Sequence, residues 1–240
     1  MRIGLPSTIS AGGLRLLASA AFVAGGLGVA QAASGTSRIP ATPEWSAATL
    51  GTIDPKVFHL AIDAAQCAAT LGAVHDPSTL TVIDYSRPST APRLWVYDLK
   101  DRTRLFEELV AHGQGSGGDV PTYFSNEADT HASSLGLFVT AGTFTGHDGY
   151  SLLLDGLETG FNDHARARGI IMHGAWYVSE VFAKAQGYLG RSWGCPAVSQ
   201  RVAKTLIDRV KGGSLLFAYY PDQKWLSTSK YLGGCAAAHS

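Results

Sequence analysis

Apolar and polar residues follow two different periods along this chain. From Asp54 to Gly72 the apolar positions Val57, Leu60, Ala61, Ala64, Ala68 and Leu71 recur at helical spacing. Asp54 can cap and Pro55 suits a first turn, so a helix is predicted to open there and to close at Gly72. From Leu80 the period changes to two. Leu80–Tyr85, Arg93–Asp98 and Leu105–Ala111 predict an antiparallel meander, with turns at Ser86–Ser89 and Asp98–Asp101. Leu135–Gly142 and Tyr150–Gly156 predict two further strands, joined around Gly146–Gly149. Gly169–Gly174 reads as a buried strand ending in His173. Ser199 then caps a helix whose Val202, Leu206, Ile207 and Val210 face a core, and Ser214–Tyr220 is a last strand.

Two stretches interrupt this pattern. Residues 33–53 are rich in Ala, Thr, Ser and Pro and predict a linker or flexible N-terminal arm. His112–His131 is a long polar loop, and such a loop inside a compact domain usually has a task. Its glycines at 113, 115, 117 and 118 let the backbone turn sharply or approach a ligand closely. It lacks the lysine and the following helix of a phosphate loop, which argues against nucleotide binding.

Composition sharpens the fold class. Only 16% of the residues are charged and 28 are glycine, which suits a turn-rich protein better than a helical bundle. A single domain over residues 54–240 is expected, mainly β with flanking helices (α+β), without internal repeats.

The N-terminus reads as a leader. Arg2 and Arg15 flank an apolar run that continues to about Ala30, and Ala30-Gln31-Ala32 is a small-x-small cleavage signal. A signal peptide over residues 1–32 is therefore expected, the other reading being an uncleaved anchor. Its removal would leave 17 basic against 19 acidic residues, with no basic face to suggest a nucleic-acid partner. The expected address is periplasmic or cell-wall associated, with no stable membrane insertion after cleavage.

Three cysteines, an odd number in an exported chain, suggest one bridge and one free thiol. Cys195 sits in a tight Gly-Cys-Pro turn, which leaves a Cys67–Cys235 disulfide; a buried free Cys67 beside a loose Cys235 is the alternative.

Cys195 also carries the candidate chemistry. His173 lies 22 positions earlier. An imidazole can take a thiol's proton and later return it to a leaving amine. Gly194 lets the backbone turn tightly, so that amides at Trp193, Gly194 and Cys195 could face a developing oxyanion. On spacing alone, a core cysteine and a strand-end histidine remain the other reading. His112, His131, His147 and His164 lack convincing metal-ligand spacing, with a zinc site gathered from distant loops as the alternative. Asp155 and Glu158 form no recognisable acid–base pair.

His173-Gly174 and Arg191-Ser192-Trp193-Gly194-Cys195-Pro196-Ala197 resemble the YkuD superfamily of L,D-transpeptidases, in particular the murein L,D-transpeptidase catalytic domain branch. Phe124-Ser125-Asn126, Ser133–Leu137, Tyr150–Glu158 and Asn162–Arg166 extend the resemblance over roughly Asp54 to Tyr220. It implies a β-sandwich-like catalytic domain, peptidoglycan stem peptides as partners, a cysteine acyl-enzyme, and no metal or cofactor. Cys195 would be the nucleophile and His173 its base, with Ser192 and Gly194 shaping the catalytic turn. Arg191 could hold a substrate carboxylate or bond loop carbonyls instead. The sequence departs from the wider superfamily at Trp193, where a second histidine is usual; Trp193 could instead wall the site against water. The implied reaction is 3–3 cross-linking with release of D-alanine. Hydrolysis of the same thioester, or an inactive wall-binding module, are the alternatives.

Overall fold

The computed structural model describes residues 39–232 and Cys235. The expected leader, and residues 33–38 of the expected arm, lie outside the described residues. The first elements are α1 (Ala47–Leu50), α2 (Pro55–Thr70), β1 (Thr79–Asp84), β2 (Leu94–Asp98), β3 (Thr103–Glu108) and β4 (Val110–Ala111). The long loop then leads to β5 (Gly136–Gly146), β6 (Gly149–Gly156), β7 (Ile171–Ala175) and α3 (Glu180–Gln186). The chain ends with β8 (Ala197–Ser199), α4 (Gln200–Val210), β9 (Leu215–Tyr219) and α5 (Gln223–Thr228).

All nine strands form one sheet in the order β3-β2-β1-β9-β5-β6-β7-β8-β4. Its two edges, β3 and β4, are consecutive in the chain and separated only by Leu109. One short step can reach both edges only if the sheet curls until they approach each other, so it is barrel-like. The protein is mainly β with flanking helices, as expected, and the faces of the expected sandwich belong to one continuous sheet. The strand predicted over Leu105–Ala111 is divided at Leu109. Its first part pairs with β2 and its second with β8.

Helix α2 forms as the pattern predicts. Asp54 Oδ1 accepts from the Lys56 amide at 2.8 Å, a cap worth about 1 kcal/mol. Phe58, Ala61, Ile62, Ala64, Ala65 and Ala68 are fully buried. Four small side chains on that face let the helix lie close against β1 and β9. A larger residue at Ala61 would overpack this layer at a cost of about 1–3 kcal/mol.

The expected flexible arm needs correction from residue 39 onward. Ile39, Trp45, Leu50 and Ile53 are buried. The Trp45 ring meets Phe58 at 5.2 Å and Tyr97 at 5.6 Å, and the Tyr97 hydroxyl donates to the Leu50 carbonyl at 2.7 Å. Each such apolar anchor contributes about 1.5–3 kcal/mol. Four anchors spread through small polar residues leave no period to detect.

Helices α3 and α5 were not predicted from the pattern. Both are short and capped, by Ser179 and Asp222. Among large apolar residues α5 buries only Trp225, and Val181 of α3 is exposed, so neither shows an apolar stripe. The Cys67–Cys235 disulfide is present, with Cα atoms 5.4 Å apart, and ties α2 to the C-terminal tail.

Candidate functional site

Strands β7 and β8 run parallel, with His173 opposite Ala197. Carried back two residues, that register sets Cys195 opposite Ile171. The Ile171 amide donates to Cys195 Sγ at 3.5 Å, and Sγ lies 3.7 Å from the Gly169 carbonyl oxygen. Ile171 and His173 are two apart on one strand and share a face. The sheet thus carries the expected imidazole on β7, with the expected thiol in the turn that enters the adjacent strand β8. Both are buried, Cys195 at 9% exposure and His173 at 5%.

His173 Nδ1 lies 3.3 Å from the Gly174 carbonyl oxygen. A carbonyl only accepts, so this contact calls for the proton on Nδ1 and leaves Nε2 as the basic nitrogen. Burial pushes the Cys195 thiol up to about 11, against smaller downward effects of the Ile171 amide and Arg168. At neutral pH the resting sulfur is a thiol, and its proton must be removed during attack.

The turn before Cys195 is braced from inside and outside. Ser192 Oγ donates to the Cys195 carbonyl at 2.7 Å and accepts from the Gly194 amide at 3.2 Å. The Gly194 amide, one of three expected to face an oxyanion, is therefore already engaged. Gly194 has φ +116°, and a Cβ there would stand 2.8 Å from the Ala132 carbonyl oxygen and from Ile170 Cδ1. Glycine is required for both reasons.

From outside, the start of the long loop pairs with the turn. The Ser192 amide donates to His112 O at 3.0 Å and the Gln114 amide to Ser192 O at 2.8 Å. Ser133 Oγ accepts from the Gly113 amide and donates to Gly194 O, both at 3.0 Å. A Cβ at Gly113 would fall 2.7 Å from Gly194 Cα. Arg168 donates to the carbonyls of Ser125 and Ala132, each at 2.7 Å, and fixes the far end of the same loop.

Behind this loop lies a buried cation. Arg93 donates through Nε and Nη2 to Val110 O and through Nη2 to His112 Nδ1 at 2.7 Å. His112 Nε2 faces the Gly117–Gly118 backbone without completing a hydrogen bond. Burial, then the Arg93 charge, pulls the imidazole down to about 4.

Arg191, a candidate for substrate carboxylate, donates through Nη1 to Gly117 O at 2.7 Å and lies over the Tyr188 ring. This is the loop-carbonyl role weighed against substrate binding. Trp193 is 70% exposed and stacks on His131, with centroids 4.8 Å apart and planes 8° apart. Phe124 packs on Tyr85 and Tyr220, and the Tyr150 hydroxyl donates to Asp208, so both serve packing; Tyr123 is half exposed. Glu158 accepts from the Leu137 amide and Trp225 Nε1, while Asp155 pairs with Arg166 at the surface. Among the described residues no three His, Cys, Asp or Glu side chains converge as a metal site requires. No described helix is long and apolar enough to cross a membrane.

Sequence reasoning missed Ser133, Arg168, the Arg93–His112 pair and the partnership of His131 with Trp193. The one signal for them was the length and glycine content of the 112–131 loop.

Residues 50–219 match the family model described as the L,D-transpeptidase catalytic domain. No curated protein matches the chain. Among solved structures, an L,D-transpeptidase from Mycobacterium smegmatis is 18% identical, with 60% of this chain and 59% of that one covered and a TM-score of 0.36. An L,D-transpeptidase from Stackebrandtia nassauensis is 16% identical over 67% and 66% of the two chains, with a TM-score of 0.37. The helical cell shape determining protein Pgp2 from Campylobacter jejuni is 14% identical over 67% and 56%, with a TM-score of 0.40. The chain thus spans less than two thirds of the length of each of these three.

Proposed function

The chain belongs to the L,D-transpeptidase catalytic domain family, and on that premise we propose that it is an exported cysteine transpeptidase acting on peptidoglycan tetrapeptide stems. The observation that carries this reading is the β7–β8 register, with the Ile171 amide on Cys195 Sγ and His173 two residues further along the strand.

In the proposed reaction Cys195 Sγ attacks the carbonyl on the L-centre of the stem's diamino acid, while His173 Nε2 takes the thiol proton. The tetrahedral oxyanion is met by the amides of Trp193 and Cys195, since the Gly194 amide is held by Ser192 Oγ. Collapse breaks the peptide bond. D-Alanine leaves with the proton from His173, and a thioester remains on Cys195. An amine of a second stem then attacks the thioester, gives a proton to His173, and releases the sulfur, which recovers that proton. The product is a 3–3 cross-link. Export is supported by the Cys67–Cys235 disulfide, a bond that persists in oxidising compartments.

Incubation of the mature protein with defined tetrapeptide muropeptides, read by mass, tests the proposal. A cross-linked dimer with released D-alanine is expected, and Cys195→Ala should abolish it. A tripeptide monomer alone would assign hydrolysis of the same thioester. Binding without any product would assign a wall-binding module.

A further inference from the structure

Two tryptophans are exposed in this domain, Trp193 at 70% and Trp176 at 68%. Both belong to the segments that carry the candidate chemistry. Trp193 precedes the start of β8, two residues before Cys195, and Trp176 follows the end of β7, three residues after His173. Because β7 and β8 are parallel neighbours, Trp193 lies before the start of this strand pair and Trp176 after its end, and Cys195 and His173 occupy positions in between along the chain register.

Each indole is held by an aromatic neighbour. Trp193 lies flat on the His131 ring, and the Gln114 amide nitrogen sits 3.0 Å from His131 Nδ1. The segment that presents His131 turns through two left-handed residues, Asp129 and His131 with φ +58° and +50°, a conformation that Asp and His enter more readily than most side chains. Trp176 is held edge-on by Tyr177 at 5.9 Å and Phe182 at 5.7 Å.

We propose that Trp193, backed by His131, and Trp176 are stacking platforms for the sugar rings of a glycan strand, so that the enzyme takes its stem peptide as part of the glycan-linked polymer. This inference rests on the transpeptidase reading and names the part of the substrate that the catalytic pair does not touch. The C–H face of a pyranose is electropositive and flat, and it complements the negative π face of an indole. The ring edges and hydroxyls of a sugar need polar partners, and the Gln114 amide and His131 imidazole stand beside Trp193. The Trp193 segment is paired with the glycine-rich loop, where the Gln114 amide donates to Ser192 O.

The test separates glycan binding from catalysis. Peptide-free glycan strands are titrated into the Cys195→Ala protein, and tryptophan fluorescence is followed. Saturable binding, weakened about tenfold by Trp193→Ala or by Trp176→Ala, is the expected result. In the active protein, kcat/KM is measured for a glycan-linked tetrapeptide and for the free tetrapeptide. Each variant should lose about tenfold more on the glycan-linked donor than on the free one. Absence of glycan binding by Cys195→Ala, or equal losses on the two donors, overturns the inference. Glycan binding by a protein that makes no product would sink the transpeptidase reading and leave the platforms standing.

Discussion

Ser192 Oγ donates to the carbonyl oxygen of Cys195 at 2.7 Å, three residues ahead of it, and accepts from the amide of Gly194 between them. One hydroxyl thereby sets both the curvature of the turn and the amide left for other use. Ser192→Ala should lower the rate of Cys195 acylation by about 10–100-fold, with a stability loss of about 1–2 kcal/mol from the unpaired carbonyl and amide. Ser192→Thr, which keeps the hydroxyl, should recover much of that rate. Single-turnover acylation together with denaturant titration reads both. An unchanged rate in Ser192→Ala would remove the turn from the catalytic account.

The buried thiol makes the fold sensitive to alkali. Its folded value is about 11 against an ordinary value of 9.0. Between these values the unfolded chain releases a proton that the folded chain retains, so stability falls as pH rises through that window, by about 2–3 kcal/mol. Below pH 9 this group contributes no slope. Cys195→Ala should flatten the alkaline limb of stability measured from pH 8 to 11. An identical limb in the variant would place the sulfur in a more polar setting than the structure has it.

His112 acts in the opposite pH range. Its folded value, about 4, lies below the ordinary 6.5 because burial and Arg93 oppose its protonation. As pH drops from 6.5 towards 4 the unfolded chain takes up a proton that the folded chain does not, and about 3 kcal/mol of stability is lost. His112→Asn should shift the acid unfolding midpoint downward relative to its own stability at pH 7. Since His112 O also holds the Ser192 amide, acid-induced loss of activity should track this transition. Activity that survives after His112 has titrated would separate the pair from the site.

The disulfide closes a separation of 168 residues. Cys67→Ala with Cys235→Ala should cost about 2–5 kcal/mol. The bridge joins α2 to the tail, away from the β7–β8 pair, so kcat on muropeptides at low temperature should change less than twofold, a difference of about 0.4 kcal/mol in barrier. Thermal unfolding and initial rates of the double variant check the two halves separately.

Legibility in the sequence followed the range of each interaction. The cap at Asp54, the strand at Ile171–Gly174 and the helix after Ser199 were readable because side-chain period and capping are local. The packing of residues 39–53 is not legible in the sequence, because Ile39, Trp45, Leu50 and Ile53 have no common period, and Trp45 and Leu50 find their partners in α2 and β2. Nothing near His131 in sequence points to its stack with Trp193, 62 positions later. Arg191 was legible as a residue beside the turn, while its contact with Gly117 O depended on where the loop lay.

By itself the sequence determined the stock of reactive groups: a thiol in a Gly-Cys-Pro turn, an imidazole on a buried strand, two further cysteines to bridge, and enough strand pattern for a mainly β domain. Only the tertiary structure decided that β7 and β8 lie side by side and parallel, that the sheet curls so that its two edges, β3 and β4, approach each other, and that a buried Arg93–His112 pair stands behind the turn. The physical reason is that alternation along a strand records which face a residue takes. Which strand becomes its neighbour is settled by packing between segments far apart in the chain.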